Sequence, residues 1–354
     1  MKNPLRFTLA LLTAAAALAG QKDKTLDVYW IDSEGGGSTL IVTPNDESVL
    51  IDAGNPGGRD PSRILAAAKA AGIAKIDFML ITHWHADHFG GAAEVAAGIP
   101  VGRIYQRAMP ATDPDLHGDA SWVLRSQPFR AIDVKREALA PGVAIPLRPV
   151  AGGPQLGLRC LAADKKTVEP TAAQLAVPPQ ALGETPPPKV EEAPDNDNSA
   201  VLLLTFGPFK FFDGGDLTWN YEPNLVLPHN LVGPVDVYQT DHHGLDRSNN
   251  PLLIHGLAPT VAVMNNGPRK GGQRGTFATL RSTPSIQAWY QLHRSLNAPD
   301  DNAPDEFLAN LVEAKPADKC TANFVKMVVA PDASSYTISI PANGHSHTYQ
   351  TKAR

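Results

Sequence analysis

Six consecutive residues, His83-Trp84-His85-Ala86-Asp87-His88, bring three imidazoles and one carboxylate into a small stretch of chain. Imidazole nitrogen and carboxylate oxygen are the ligands that zinc and related divalent metals prefer. The run follows Ile76–Ile81, whose apolar character is that of a strand buried on both faces. It therefore reads as a loop leaving a buried strand. A helix would scatter alternating residues around its circumference, whereas an extended turn lets His83 and His85 point together. Asp87 and His88 then turn toward a second ion. One histidine in such a place is more often a satisfied core residue; four clustered ligands read as a metal site.

Two further groups fit that chemistry. Asp216 follows an expected hairpin (200–206 with 209–212) through Asp213-Gly214-Gly215, and its two oxygens suit it to bridge two cations. Taken alone it reads as a turn aspartate. His242 and His243 follow an apolar strand at 235–239, as His83 follows Ile81. Adjacent histidines face opposite ways, so one is expected on a metal and the other on substrate. Beyond the strand Val261–Met264, the run Asn265-Asn266-Gly267-Pro268-Arg269-Lys270 is basic and rich in turn formers. Asn266, Lys270 and, past His243, Arg247 and Ser248 are the expected contacts to an anionic group, against the plainer reading of solvated turn residues.

The elements that must carry these groups are mostly strands. Residues 25–31, Thr39–Val42, 49–52, 324–329 and 336–340 are rich in strand formers and separated by turn signals. A helix begins at Asp60-Pro61 and ends at Gly72; others are expected at 92–97, Pro251–Leu257 and 285–296. Strands outnumber helices in each half, and helices fall between strands. The expectation is an α+β chain: a four-layer αβ/βα sandwich of two mixed β-sheets with helices outside. An insertion near 107–147 lacks clear pattern. A Pro-rich loop near 164–198, including Pro186-Pro187-Pro188, reads as exposed and poorly ordered.

Among 354 residues 43% are hydrophobic, which suits a globular chain and excludes a disordered or fibrous one. Residues 1–19 read as an export signal: Lys2 and Arg6, an apolar stretch, then Ala17-Leu18-Ala19 before Gly20. The expectation is a periplasmic or secreted domain over 20–354, with no membrane span after cleavage. Formal charge is −5, and losing Lys2 and Arg6 leaves 29 basic against 36 acidic residues, or −7. That excludes bulk electrostatic gripping of long nucleic acid and leaves a small-molecule substrate. Cys160 and Cys320 either pair or remain buried thiols, and oligomeric state is not legible.

Four pieces, Leu50-Ile51-Asp52-Ala53-Gly54, Thr82 to His88, Gly215-Asp216 and His242-His243-Gly244, stand in the order found in the metallo-β-lactamase superfamily, which the chain resembles. The phrase Asp195-Asn196-Asp197-Asn198-Ser199 before the Gly-Asp, and the later His-His-Gly, are most similar to the ComEC-like hydrolase branch and to phosphorylcholine esterase-like enzymes. The resemblance implies two divalent metal ions, zinc before manganese or iron. His83 and His85 would hold the first, Asp87 and His88 the second, with Asp216 bridging and His243 completing the second. His242 would contact substrate or donate a proton. Asp52 would hydrogen-bond a ligand or the loop that carries the histidines. Most members add a histidine to the first ion, but no histidine lies between His117 and His229, and Asn198 or Ser199 occupies that stretch. The ComEC-like branch shares this lack. His85 replaces the glutamate of redox-iron relatives, which disfavours redox chemistry. The implied activity is hydrolysis of a phosphoester or phosphodiester by metal-bound hydroxide, with Asp87 and Asp216 orienting the metals and nucleophile. Hydrolysis of a carboxylic ester, lactone or thioester on the same centre is the alternative, and a non-catalytic binding protein that kept the fold is a third reading.

Overall fold

The computed structural model describes residues 23–190 and 193–353, so the expected export signal at 1–19 lies outside the described residues. The chain first lays down β1 (Leu26–Trp30), β2 (Thr39–Val42), β3 (Ser48–Ile51), β4 (Ile76–Ile81), β5 (Val101–Gln106) and β6 (Arg136–Ala138). It then builds a second sheet from β7 (Ala144–Ile145), β8 (Leu156–Ala163), β9 (Lys166–Thr167), β10 (Val201–Phe206), β11 (Phe209–Asp213), β12 (Val237–Gln239), β13 (Val261–Met264), β14 (Ala288–His293) and β15 (Leu308–Asn310). Finally it returns to the first sheet with β16 (Val325–Val329), β17 (Ser335–Ile340) and β18 (His345–Gln350). The orders are β18-β17-β16-β1-β2-β3-β4-β5-β6 and β15-β14-β13-β12-β11-β10-β8-β7, with β9 paired to β8.

Helices close both outer faces: α1 (Arg59–Ala70), α2 (Ala86–Phe89), α3 (Ala92–Gly98), α4 (Trp122–Arg130), α5 (Ala172–Leu175), α6 (Pro251–Leu257) and α7 (Arg274–Ser282). Alternation along each strand sorts the apolar residues. Val28, Trp30, Ile41, Leu202, Phe211, Val263 and Tyr336 fill the space between the sheets. Tyr29, Leu40, Leu50 and Met79 face Ile64, Ala68, Val95 and Phe129 of the helices over the first sheet. Phe212, Tyr238 and Met264 face Leu253, Leu257, Phe277 and Leu280 over the second. These three apolar layers define the α/β/β/α sandwich expected from the alternation.

Parallel pairing positions the chemistry. Val49, Leu50 and Ile51 pair in parallel with Phe78, Met79 and Leu80. Phe211 to Asp213 pair in parallel with Val237 to Gln239, and these with Val261 to Val263. The carboxyl ends of β3, β4, β11, β12 and β13 therefore emerge together, and ligand sites form in loops at such ends.

The helix expected at 285–296 is instead the strand β14. It pairs in parallel with β13 and β15 and is covered on both faces: Tyr290 and Leu292 enter the inter-sheet core, while Trp289 meets the helical side. Ile286, Trp289 and Tyr290 stand at helical spacing (i, i+3, i+4), which masks the short alternation Tyr290-Gln291-Leu292-His293. The helix of this region is α7, whose Phe277 and Leu280 make its buried stripe. Within 107–147, α4 covers the first sheet and β6 and β7 extend one sheet each. The Pro-rich stretch is exposed over much of its length but tied down, with Trp219 Nε1 donating to Pro187 O at 3.0 Å and Lys189 and Asn220 exchanging two hydrogen bonds. Its last residues, Asp195, Asn196 and Asp197, are buried. Cys160 and Cys320 are both free thiols. Among the described residues no helix is long and apolar enough to cross a membrane.

Candidate metal centre

Asp52 follows β3 in a left-handed conformation (φ 59°) and anchors the histidine loop that follows β4. Its Oδ1 accepts the Thr82 amide at 2.8 Å; its Oδ2 accepts the Thr82 hydroxyl at 2.7 Å and faces His88 Nδ1 at 2.6 Å. Because the Thr82 hydroxyl donates to Asp52, its oxygen is left to accept from His83 Nδ1, 3.0 Å away. One buried carboxylate thus fixes two imidazoles with their Nε2 atoms bare, the arrangement that orients metal-binding histidines. Gly37 permits it: a Cβ there would lie 2.6 Å from His88 Nδ1 and 2.9 Å from Asp52 Oδ2.

His85 is oriented from elsewhere. Its Nε2 donates to the Asp115 carboxylate at 2.9 Å, which leaves Nδ1 facing His83 Nε2 at 3.0 Å. Two bare nitrogens aimed at each other repel, and a cation between them removes the repulsion. On the buried side His88 Nε2 faces His243 Nε2 at 3.3 Å. Two nitrogens on one tetrahedral zinc stand about 3.3 Å apart, given metal–nitrogen bonds of about 2.0–2.1 Å. The donor sets Asp87, His88, Asp216, His243 and His83, His85, Asp216 each keep their ligand atoms within 4.8 Å of one another.

Asp216 belongs to both sets. Its Oδ1 lies 3.2 Å from His88 Nε2; its Oδ2 lies 3.3 Å from His243 Nε2, 3.5 Å from His242 Nε2 and 3.8 Å from His83 Nε2. Its amide donates to Ser199 Oγ at 3.3 Å. Burial alone would raise the Asp216 and Asp87 carboxyls, but surrounding charge holds both well below the usual range: His243, His88 and His242 for Asp216, Lys270 and His88 for Asp87. Burial, with His88 and His85 adjoining, keeps His83 well below an ordinary imidazole. Although burial opposes it, Asp216, Asp87 and Asp52 push His88 well above, and Asp115 raises His85. Both upward shifts favour a proton on imidazoles that would otherwise present bare nitrogens, and a cation on the same ligands would compete with that proton. The residues present fit a pair of divalent ions.

His242 and His243 sit in successive left-handed residues (φ 52° and 56°), a conformation that costs on the order of 1 kcal/mol or more each and persists only where the surroundings impose it. Asn249 Nδ2 imposes it by donating to Asp241 O and Leu245 O at 3.0 and 3.1 Å, while the Gly272 amide donates to His243 O at 3.0 Å. Gly271 (φ 74°) is required beside it, since a Cβ would lie 1.9 Å from His243 O. Both rings point inward. His243 completes the buried set. The Ser248 hydroxyl donates to Leu217 O at 2.7 Å, so its oxygen accepts from His242 Nδ1 at 3.3 Å and His242 Nε2 is bare. Burial holds His242 down to about 3. The expected proton donor is thus built as an acceptor at neutral pH.

The expected substrate contacts divide. Lys270 reaches the centre, its ammonium ion-paired with Asp87 Oδ2. Asn266 does not: it is fully buried, and its amide donates to Gly267 O and His293 O at 2.9 and 2.8 Å, so it fastens a loop instead of facing substrate. Arg247 is half-buried past the His-His-Gly turn, and its carbonyl accepts the Trp219 amide at 2.9 Å. Asn198 bonds Pro194 O and Asp195 Oδ1, each at 3.4 Å, and so supports a neighbour of the ligand loop instead of a ligand. Asp195 in turn accepts the Trp84 amide at 2.6 Å and pairs with Arg107. Trp84 is packed against Phe89 and Phe129 beneath the loop. Thr82 and Asp195 stand inside the quoted motifs without a role assigned to them, Asp115 carries no sequence signal, and Ser248, an expected contact to an anionic group, orients His242. Below the centre, burial pushes Asp213 up to about 7, and its Oδ2 has no hydrogen-bond partner.

Residues 32–159 match the family model of the metallo-beta-lactamase superfamily. The chain is 23% identical over 235 residues to the competence protein ComA of Neisseria gonorrhoeae, covering 66% of this chain and 26% of ComA, so it spans about a quarter of that relative's length. Similar solved structures include Igni18, a metallo hydrolase from Ignicoccus hospitalis (TM-score 0.41, 14% identity, 75% of this chain and 94% of that one). Another is CmlA, a diiron beta-hydroxylase from Streptomyces venezuelae (TM-score 0.38, 15% identity, 69% and 45%). The family match runs through the Asp52 strand end and the whole histidine loop, and over those residues the chain is similar to the metallo-beta-lactamase superfamily.

Proposed function

We propose that this protein is a dinuclear metal-dependent hydrolase of phosphoesters or phosphodiesters, of the ComEC-like branch and acting outside the cytoplasm. The observation that carries the reading is Asp216, buried between two nitrogen-rich donor sets with one oxygen toward His88 and the other toward His83 and His243. Two divalent ions, zinc before manganese or iron, would supply Lewis acidity and a nucleophilic water at neutral pH when bound. The chain's own residues do the rest. Asp52 and Thr82 aim His83 and His88, and Asp115 aims His85. The Lys270 ammonium stands beside Asp87 and favours an anionic substrate over a neutral ester. His242 Nε2 accepts a hydrogen bond or proton from whatever lies against Asp216. The likeness to ComA supports the branch, and the export-like residues 1–19 support the location.

The test is a substrate panel with zinc- and manganese-loaded protein: bis-p-nitrophenyl phosphate, phosphorylcholine esters, homoserine lactones and a glutathione thioester. Turnover of a phosphoester, abolished by chelation and restored by metal, is the expected result. Turnover of lactones or thioesters alone contradicts the phosphoester assignment, and no turnover of any member supports a binding protein.

A further inference from the structure

On the segment that carries Asp115 lies a cavity of about 390 Å³, whose apolar wall is Ala111, Leu116, Ala120, Trp122 and Val123 and whose polar rim is Thr112, Asp113 and Asp119. Its wall is continuous with the loop that holds the first donor set. The Asp113 carboxylate accepts the amides of Asp115, His117 and Asp119 at 3.2, 3.0 and 3.1 Å, curling 113–119 into a tight loop. Asp115 turns inward onto His85. The next residue, Leu116, is left-handed (φ 62°) and 80% exposed. Helix α4 adds Val123 at 63% and Leu124 at 70% exposure, while Trp122 is buried with its indole N–H donating to Pro110 O at 3.0 Å.

We propose that this cavity receives an apolar group of the substrate, so that the enzyme acts on esters carrying a hydrocarbon chain or ring near the scissile bond. The inference rests on the hydrolase reading of the metal centre but not on the phosphorus. Three observations select a substrate group as the occupant. The cavity has the volume of a small-molecule site. Its lining residue Leu116 directly follows Asp115, the residue that holds His85, the most exposed histidine of the two donor sets. The centre offers only polar and charged groups (Lys270, Asp87, His242), so an amphipathic ester satisfies both halves of the site.

The test compares methyl, butyl and octyl members of two series, p-nitrophenyl alkyl phosphodiesters and p-nitrophenyl carboxylic esters, as free monomers with the metal-loaded protein. Calorimetric binding of methyl and octyl phosphate reads the same preference without turnover. In wild type, kcat/KM or affinity should rise about threefold to fourfold per added methylene until the cavity is filled, chiefly through KM. Leu116→Ser and Val123→Ser should flatten that slope, raising KM for the octyl substrate far more than for the methyl one; both positions are on the surface, so folding is preserved. A flat wild-type series, or variants that keep the full slope, overturns the proposal. Rates or binding that rise only when the ligand is presented on vesicles overturn it in favour of membrane docking. A slope with carboxylic esters and none with phosphodiesters refutes the phosphoester assignment while supporting the cavity.

Discussion

His88 and His243 are almost wholly enclosed and face each other across 3.3 Å, whereas His85 sits at the solvent edge and is held by one carboxylate on an inserted loop. The two donor sets share Asp216 but are built by different parts of the fold. The buried set draws Asp87 and His88 from α2, just past β4, Asp216 from the turn after β11 and His243 from the turn after β12, each following a strand that packs into a core. The outer set has three protein ligands, and its orienting residue, Asp115, comes from 107–121, a segment without strands. A ligand set made rigid by the core loses little freedom on binding metal; one hung on a loop loses more. The buried set should therefore hold its ion more tightly, and the outer set should leave more room for substrate.

Breaking the shared residue should have the largest effect. Asp216→Ala should abolish both sites and lower kcat/KM by at least about a thousandfold, or about 4 kcal/mol of transition-state stabilisation. Metal analysis alongside the kinetics checks it, and retention of one tightly held ion would show that Asp216 does not serve both sets. Next come the two orienting carboxylates, which separate the sites. Asp52→Ala frees Thr82, His83 and His88 together, so affinity for both ions should fall, each by about 10- to 100-fold. Asp115→Ala should weaken only the outer ion, by a similar factor, with the buried ion unchanged. Competition against a chromophoric chelator reads each constant; equal losses in the Asp115 variant would refute the division.

The smallest effect concerns pH and the floor of the buried set. Burial pushes the Asp213 carboxyl up to about 7 in the fold, against 3.8 for a free aspartate side chain. Between those values the native state binds more protons than the unfolded one, so stability of the metal-free protein falls as pH rises from about 4 to about 7. The loss from this group is at most about 4 kcal/mol. Asp213→Asn keeps the acceptor for the Gly215 amide and removes the charge. Chelator-treated wild type should melt at a lower temperature at pH 8 than at pH 5, and the variant should lose less over that interval. A variant whose melting temperature falls as steeply as wild type contradicts this account of Asp213.

The same contrast explains what could be read from the sequence. The ligands of the buried set are dense in sequence or sit at ends of apolar strands, where local pattern and burial agree. The sandwich was legible because apolar runs separated by turn signals alternate with helices, and β14 was misread because Ile286, Trp289 and Tyr290 also fit helical spacing. Asp115 was illegible: thirty residues separate it from His85, and only the fold of the insertion brings them together. Asn266 misled for the opposite reason. A polar side chain at a strand end suggests substrate contact, yet two carbonyls consume its amide. For His242, its place beside His243 showed that a ring enters the site, but the direction of its proton depends on Ser248 and Leu217 O, which no spacing in the sequence reveals.

Calorimetric titration of zinc into metal-free protein, run on wild type and His85→Ala, tests the central claim most directly. Two ions should bind wild type with constants at least tenfold apart, and the variant should keep one ion at the tighter constant. A single ion in wild type, or loss of the tighter ion in His85→Ala, would contradict a two-ion centre built as one rigid and one loosely held half.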